Sequence, residues 1–135
     1  MLGKFQTSNL RVEVEASGQL IRDYLIHPRK LREWFWLGNL SSGLPEIFSQ
    51  GLNFTTTVGL VKIGHQVDVV EDYRLRFLLN QGIDGYQEWL WGDGWLQSRL
   101  EGISLLPLNL SQTATLWGFK QFLGTRSDSE KRSPI

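Results

Sequence analysis

The chain has 135 residues, 41% of them hydrophobic and 21% charged, which is the composition of one globular domain. Its 14 basic and 14 acidic residues cancel, so nucleic-acid binding is not expected. The absence of cysteine excludes disulfides and thiolate metal ligands. No segment approaches the roughly 18 apolar residues of a membrane-spanning helix, and the first residues lack the apolar core of a signal peptide. A cytoplasmic protein is therefore predicted.

The first third of the chain predicts one strand followed by two short helices. Residues 9–16 alternate between apolar and charged side chains, as in a strand with one buried face. Ser17 then has the chemistry of a helix N-cap, and Pro28 suits the first position of a second helix. Residues 37–51 follow as an irregular loop, which is long enough to suggest a mobile flap over a cavity.

A first β-hairpin is predicted around Gly59 and Leu60. A two-residue turn at this position pairs Phe54 with His65 and places the apolar residues of both strands on one face. The next strand continues that face with Phe77, and residues 80–85 are interpreted as a loop or a bulge.

A second hairpin is predicted at Asp93-Gly94, which is among the strongest short-range turn signals. This turn pairs Trp89 with Ser98 and Trp91 with Leu96. Because side chains alternate along a strand, the two tryptophans share one face, which is apolar except for small polar interruptions. Such a face either lines a cavity or covers a helix.

The chain ends in a predicted helix and a polar tail. Asn109 or Ser111 is expected to cap the helix, which is expected to end at Gly124 and to direct Trp117 toward the sheet. The domain is therefore assigned to residues 1–124, and residues 125–135 are predicted to be disordered.

These elements predict an α+β fold. A curved antiparallel sheet of about six strands must bury its apolar face, and the C-terminal helix is the long element available to cover it. The gap between the sheet, this helix and the two short helices is the predicted pocket.

The order of elements resembles the START-like superfamily, also called SRPBCC, with its helix-grip fold. The resemblance lies in NLRVEVEAS, LIRDYLIHPRKLREWFW, GLNFTTTVG and LNLSQTATLWGFKQFL, and it covers roughly residues 8–124. It implies a cavity for a hydrophobic or amphipathic small molecule. Members of the superfamily include lipid carriers, polyketide cyclases, ubiquinone-binding proteins and co-chaperone activators, so the resemblance does not select one activity.

The predicted ligand-binding wall consists of residues that alternation or helical spacing directs inward. They are Phe54, Ile63, His65, Phe77, Trp89, Trp91, Ser98, Leu100 and Trp117. His65 and Ser98 would be its polar anchors. His65 is either a ligand-binding or proton-transferring group, or a core histidine that bonds a backbone carbonyl. Ser98 either orients a ligand or lies in water at the end of the sheet.

Other chemistry has little support in the sequence. A metal site is not expected, because the chain has no cysteine and its two histidines are too far apart to match known zinc-ligand spacings. No cofactor is expected either. The basic residues Arg29, Lys30 and Arg32 lie beside Trp34 and Trp36, a combination that suits either a solvated face or contact with an acidic partner or a membrane surface.

Three functions remain open at this point. The leading hypothesis is a carrier or binding module for a hydrophobic small molecule that is lipid-, quinone- or polyketide-like. The second is a protein-interaction module with a filled core. The third is a cyclase- or isomerase-like enzyme that uses His65 with a carboxylate, which the pattern does not locate.

Overall fold

The protein is described by a computed structural model that covers residues 3–132, with side chains described to residue 126. In this range seven strands form one antiparallel sheet in the order β1-β7-β6-β5-β4-β3-β2. The elements, in chain order, are β1 (Lys4–Glu13), α1 (Gly18–Ile26), α2 (Pro28–Trp34), β2 (Asn39–Leu40), β3 (Asn53–Val58), β4 (Val61–Glu71), β5 (Arg74–Gln81), β6 (Ile83–Gly92), β7 (Trp95–Ser104) and α3 (Leu108–Arg132). The sheet is curved, and the fold is the predicted α+β helix-grip.

Both hairpin registers are confirmed. Phe54 lies opposite His65 in the first hairpin, and Trp89 lies opposite Ser98 in the second. Gly59 and Gly94 have positive φ angles of 60° and 80°, which a residue without a Cβ adopts at little cost. Local turn chemistry and alternation therefore agree with the tertiary pairing.

The two short helices also begin where the sequence predicted. The Ser17 hydroxyl accepts a hydrogen bond from the Leu20 N–H at 3.1 Å, and Pro28 occupies the first turn of α2. Asp93, in the β6–β7 turn, accepts a second bond from the Gly18 N–H at 2.7 Å. The start of α1 is thereby tied to the hairpin that it packs against.

Several boundaries differ from the prediction. β1 begins at Lys4, five residues before the predicted start. The prediction was too short because the inner face carries the polar residues Gln6 and Ser8 there, which interrupt the alternation of apolar and polar side chains. Residues 80–85 are not a loop, since β5 and β6 are joined by a tight turn in which Gln81 has a φ of 65°. The last helix continues past Gly124 to Arg132, so part of the predicted disordered tail is helical, and residues 133–135 lie outside the described range.

The segment 37–51 is anchored to the core. Residues 39 and 40 pair with β3 as the edge strand β2, and the Arg32 guanidinium donates to the Leu40 carbonyl at 2.9 Å and to the Ser41 carbonyl. Phe48 is 2% exposed and stacks on Phe54 with ring centroids 5.0 Å apart. Mobility of this segment stays a prediction, and any opening must break these contacts.

Candidate functional site

A cavity of about 100 Å³ lies on the concave face, between β3–β7, the first turns of α3 and the end of α2. The wall is mainly apolar. Its lining residues are Leu31, Trp34, Phe35, Leu37, Leu40, Phe54, Thr56, Val58, Ile63, His65, Phe77, Leu79, Ile83, Gln87, Trp89, Leu100, Leu106, Leu108, Ser111, Gln112 and Thr115. Among these described residues none is Asp, Glu, Lys or Arg, so the wall offers no counter-ion to a charged ligand.

His65 is the one titratable imidazole in this wall, and aromatic rings hold it in place. It is 7% exposed, stacks on Phe54 with centroids 4.6 Å apart and meets the edge of Phe77 at 5.4 Å. Its Nδ1 lies 3.2 Å from the Ile63 carbonyl oxygen. A carbonyl oxygen only accepts, so Nδ1 carries the proton and Nε2 is the unprotonated nitrogen of the neutral ring.

Burial lowers the pKa of His65 from 6.5 to about 4, because the charged imidazolium loses its hydration, and the bond to the Ile63 carbonyl opposes this shift only in part. The side chain is therefore neutral at pH 7. His65 bonds a backbone carbonyl, as one of the two predicted roles requires, and it also lines the cavity, while its role toward a ligand stays a prediction.

A buried polar network closes the cavity on the β1 side. Gln112 of α3 accepts from the Ser8 hydroxyl at 2.5 Å and donates to the Ser98 carbonyl at 2.8 Å and to the Ser98 hydroxyl at 3.0 Å. Asn109 adds a bond to Ser8 at 2.9 Å. Because the hydroxyls and the amide satisfy one another away from water, the network fixes α3 against two strands.

Six of the nine predicted wall residues line the cavity, and three do not. The six are Phe54, Ile63, His65, Phe77, Trp89 and Leu100. Trp91 is buried in the core beyond the cavity, at the end of the sheet that α1 covers. Ser98 is 0% exposed, and its hydroxyl accepts a hydrogen bond from the Gln112 amide. It therefore contacts neither water nor the cavity.

Trp117 was assigned to the wrong face of α3 and is 60% exposed. The buried face carries Leu108, Leu116, Phe119 and Leu123, spaced by three and four residues or their multiples. A helix capped by Asn109 or Ser111 excludes Leu108, which is the first member of that series.

Other lining residues were missed because their burial depends on long-range contacts. Leu40 belongs to a strand of only two residues, and Ile83 was placed in a loop. Gln112 carries a polar side chain that no apolar pattern selects. The i, i+4 spacing of Leu108, Gln112 and Leu116 is the signal that would have found it.

The predicted basic and aromatic surface is divided in the structure. Trp34 is 4% exposed, stacks on Phe119 at 3.9 Å and donates its indole N–H to the Tyr24 carbonyl at 2.8 Å, so it cannot serve an external partner. Trp36 is 62% exposed and lies against Gly118 of α3. Arg29, Lys30 and Arg32 line a separate groove with residues 43–46.

Two further observations concern the described residues. No group of three or more His, Asp or Glu side chains within residues 3–126 is arranged to hold a metal ion. None of the helices in the described range has the length and hydropathy of a bilayer-spanning segment.

No protein-family model and no curated protein matches this sequence. Solved structures do match it. A START superfamily protein from Mycobacterium smegmatis has 16% identity and a TM-score of 0.66, covering 91% of this chain and 97% of its own. Norcoclaurine synthase from Thalictrum, solved with a transition-state analogue, has 11% identity and a TM-score of 0.65, covering 97% and 99%.

A third match is DynU16 from the dynemicin biosynthetic locus, with 19% identity and a TM-score of 0.67. The alignment covers 87% of this chain but 46% of DynU16, so the chain spans about half the length of that protein. At these identities the likeness concerns the fold. The predicted resemblance is confirmed at that level, and the chain has the START-like, helix-grip fold.

Proposed function

We propose that this chain is a non-catalytic binding module for a small hydrophobic molecule, held in the cavity between the sheet and α3. The observation that carries the proposal is a mainly apolar cavity with a few polar groups in its wall, which is the usual composition of a ligand pocket. The START superfamily neighbour supports the proposal at the level of the fold, and that fold by itself does not select between binding and catalysis. A cytoplasmic location is part of the proposal and rests on the sequence.

The volume of the cavity limits the size of the ligand. Pockets that hold drug-sized ligands measure roughly 300–1,000 Å³, whereas this cavity has about 100 Å³. A lipid, quinone or polyketide would therefore require the wall to open, and the contacts of Phe48 and Arg32 described above oppose such opening. We accordingly place a small molecule ahead of these larger classes.

The enzyme hypothesis has less support. General acid–base catalysis by His65 needs a second titratable group at the reacting atoms. No carboxylate is among the described residues that line the cavity, and the lowered pKa leaves His65 a weak base. Binding without chemistry is the simpler function for this wall.

Native mass spectrometry of freshly purified protein, before and after denaturation and organic extraction, tests the proposal. A reproducible bound mass that extraction removes is the expected result. Trp89→Phe should weaken retention of that mass, because Trp89 lines the cavity. The matched control is Trp91→Phe, which changes an equally buried tryptophan on the same face of β6 outside the cavity. Equal retention in both variants contradicts the assigned site.

The second candidate is a protein-interaction module. The observations that favour it are the small cavity, which has about the volume of three waters, and the exposed indoles of Trp36 and Trp117. A clean mass without ligand from folded protein, with no binding of small apolar probes, would favour this candidate over the binding module.

A further inference from the structure

We infer that the ligand of the cavity is a neutral molecule of about one ring that donates a hydrogen bond, through an O–H or N–H, to Nε2 of His65. This inference rests on the proposed function and names the class of molecule that the same cavity selects. Phenol is the simplest member of the class. Three properties of the wall lead to it, namely volume, charge and hydrogen-bonding direction.

Volume sets the upper limit. An apolar cavity of roughly 150 Å³ is known to bind benzene. A cavity of about 100 Å³ is smaller than that, so one ring is the largest rigid unit that it can accept. Phe54, Phe77 and Trp89 present flat surfaces to this space, and flat apolar ligands maximise dispersion contacts with such surfaces.

Charge excludes carboxylates and ammonium groups. The described lining residues contain no Lys, Arg, Asp or Glu, and His65 is neutral. Moving an unpaired charge into such a site carries a large desolvation penalty. A bound ligand must therefore be uncharged in the part that enters the cavity.

Hydrogen-bonding direction provides the specificity. Nδ1–H is committed to the Ile63 carbonyl, so Nε2 can only accept. Nε2 has no hydrogen-bond partner among the described residues, and it is not one of the described atoms that are both unpartnered and fully buried, so a small molecule can reach it. A ligand that lacks a donor shields this acceptor from water and leaves it unpaired, whereas a ligand with an O–H satisfies both the acceptor and its own hydroxyl.

The experiment compares phenol with toluene, in which a methyl group replaces the hydroxyl, by measuring Kd for each with the wild-type protein. We expect phenol to bind about tenfold more tightly, the ratio that one net hydrogen bond provides. In His65→Phe the order should reverse, because the phenol hydroxyl then enters an apolar site unpaired. His27→Phe, the same substitution outside the cavity wall, should keep the wild-type ratio.

The measured affinities distinguish failure of the inference from failure of the proposed function. Toluene binding as tightly as phenol in the wild type overturns the inference and leaves the binding module standing. Failure of both probes to bind overturns the inference and counts against the proposed function. If His65→Phe does not fold, the ¹⁵N shift of Nε2 in the wild type decides instead. It should move with phenol and not with toluene, and an unchanged shift with bound phenol overturns the inference.

Discussion

The two ends of the concave face are built from the same strands, yet one is filled and the other is hollow. Near the β6–β7 turn, where α1 packs against β6, Trp91 and Leu96 are almost completely buried. Toward the β3–β4 turn, α3 begins with Leu108, Ser111 and Gln112 and leaves a cavity beside His65. Local sequence composition does not separate the ends, since both carry tryptophan and leucine on the inner face.

A helix-grip fold can therefore combine a packed core and a cavity in one layer. Close packing at the end covered by α1 supplies stability. The hollow end gives up part of that stability, because the atoms lining an empty space lose contact partners. The predictions below test whether the two ends differ in solution as they do in the structure.

The largest expected effect comes from truncating one leucine at each end. Leu96→Ala should lower the free energy of unfolding by about 4–5 kcal/mol, since it creates a new void in close packing. Leu79→Ala should cost only about 2–3 kcal/mol, because Leu79 already borders the cavity on one side. Urea denaturation measures both. Equal losses would mean that the hollow end is packed as densely as the other.

The next effect concerns pH. The folded-state pKa of His65 is about 4, below the unfolded value of 6.5, so only the unfolded chain binds this proton between those values. His65 therefore contributes to stability above pH 6.5, and the contribution is lost as pH falls toward 4, in total about 3 kcal/mol.

The measurement compares the pH dependence of the unfolding free energy for the wild type and for His65→Phe. The unfolding free energy of the wild type, relative to that of the variant, should fall by about 3 kcal/mol as the pH is lowered from 6.5 to 4. The difference between the two proteins should stay constant above pH 7. Parallel profiles throughout would show that His65 is hydrated, and hence that the hollow end is open to water.

The smallest effect is expected at Gln112, which lines the cavity at the hollow end. Gln112→Leu leaves the buried Ser98 hydroxyl without the amide partner described above, and the cost should be about 1–3 kcal/mol. Gln121→Leu, on the exposed face of the same helix, should change stability by less than about 0.5 kcal/mol. Similar small changes in both variants would contradict a structural role for the network.

Much of the sheet was predictable because its signals are local. At Asp93-Gly94 the turn residues and the alternation of Trp89 and Trp91 demand one register, and a shift by one residue would turn both tryptophans to water. Six of the nine predicted wall residues line the cavity for this reason, since inward direction along a strand follows from period-2 alternation.

The rest was not predictable from local pattern. Phe48 fills the space beside Phe54 from an irregular segment, and such a segment carries no periodicity that assigns a face. Trp117 was predicted to be buried because it is a large aromatic side chain on a helix. Its position around the helix axis instead places it on the exposed face. Ser98 faces inward as predicted, but its partner Gln112 comes from an element distant along the chain.

Turn geometry and side-chain alternation act over a few residues, so they were enough to predict both hairpin registers, the starts of the two short helices and the apolar character of the concave face. The edge strand β2, the first half of β1 and the choice of which part of that face is filled depend on tertiary contacts. The position of α3 relative to the sheet sets how much space remains beside His65, and that position depends on contacts between residues far apart in sequence, such as Gln112 with Ser8.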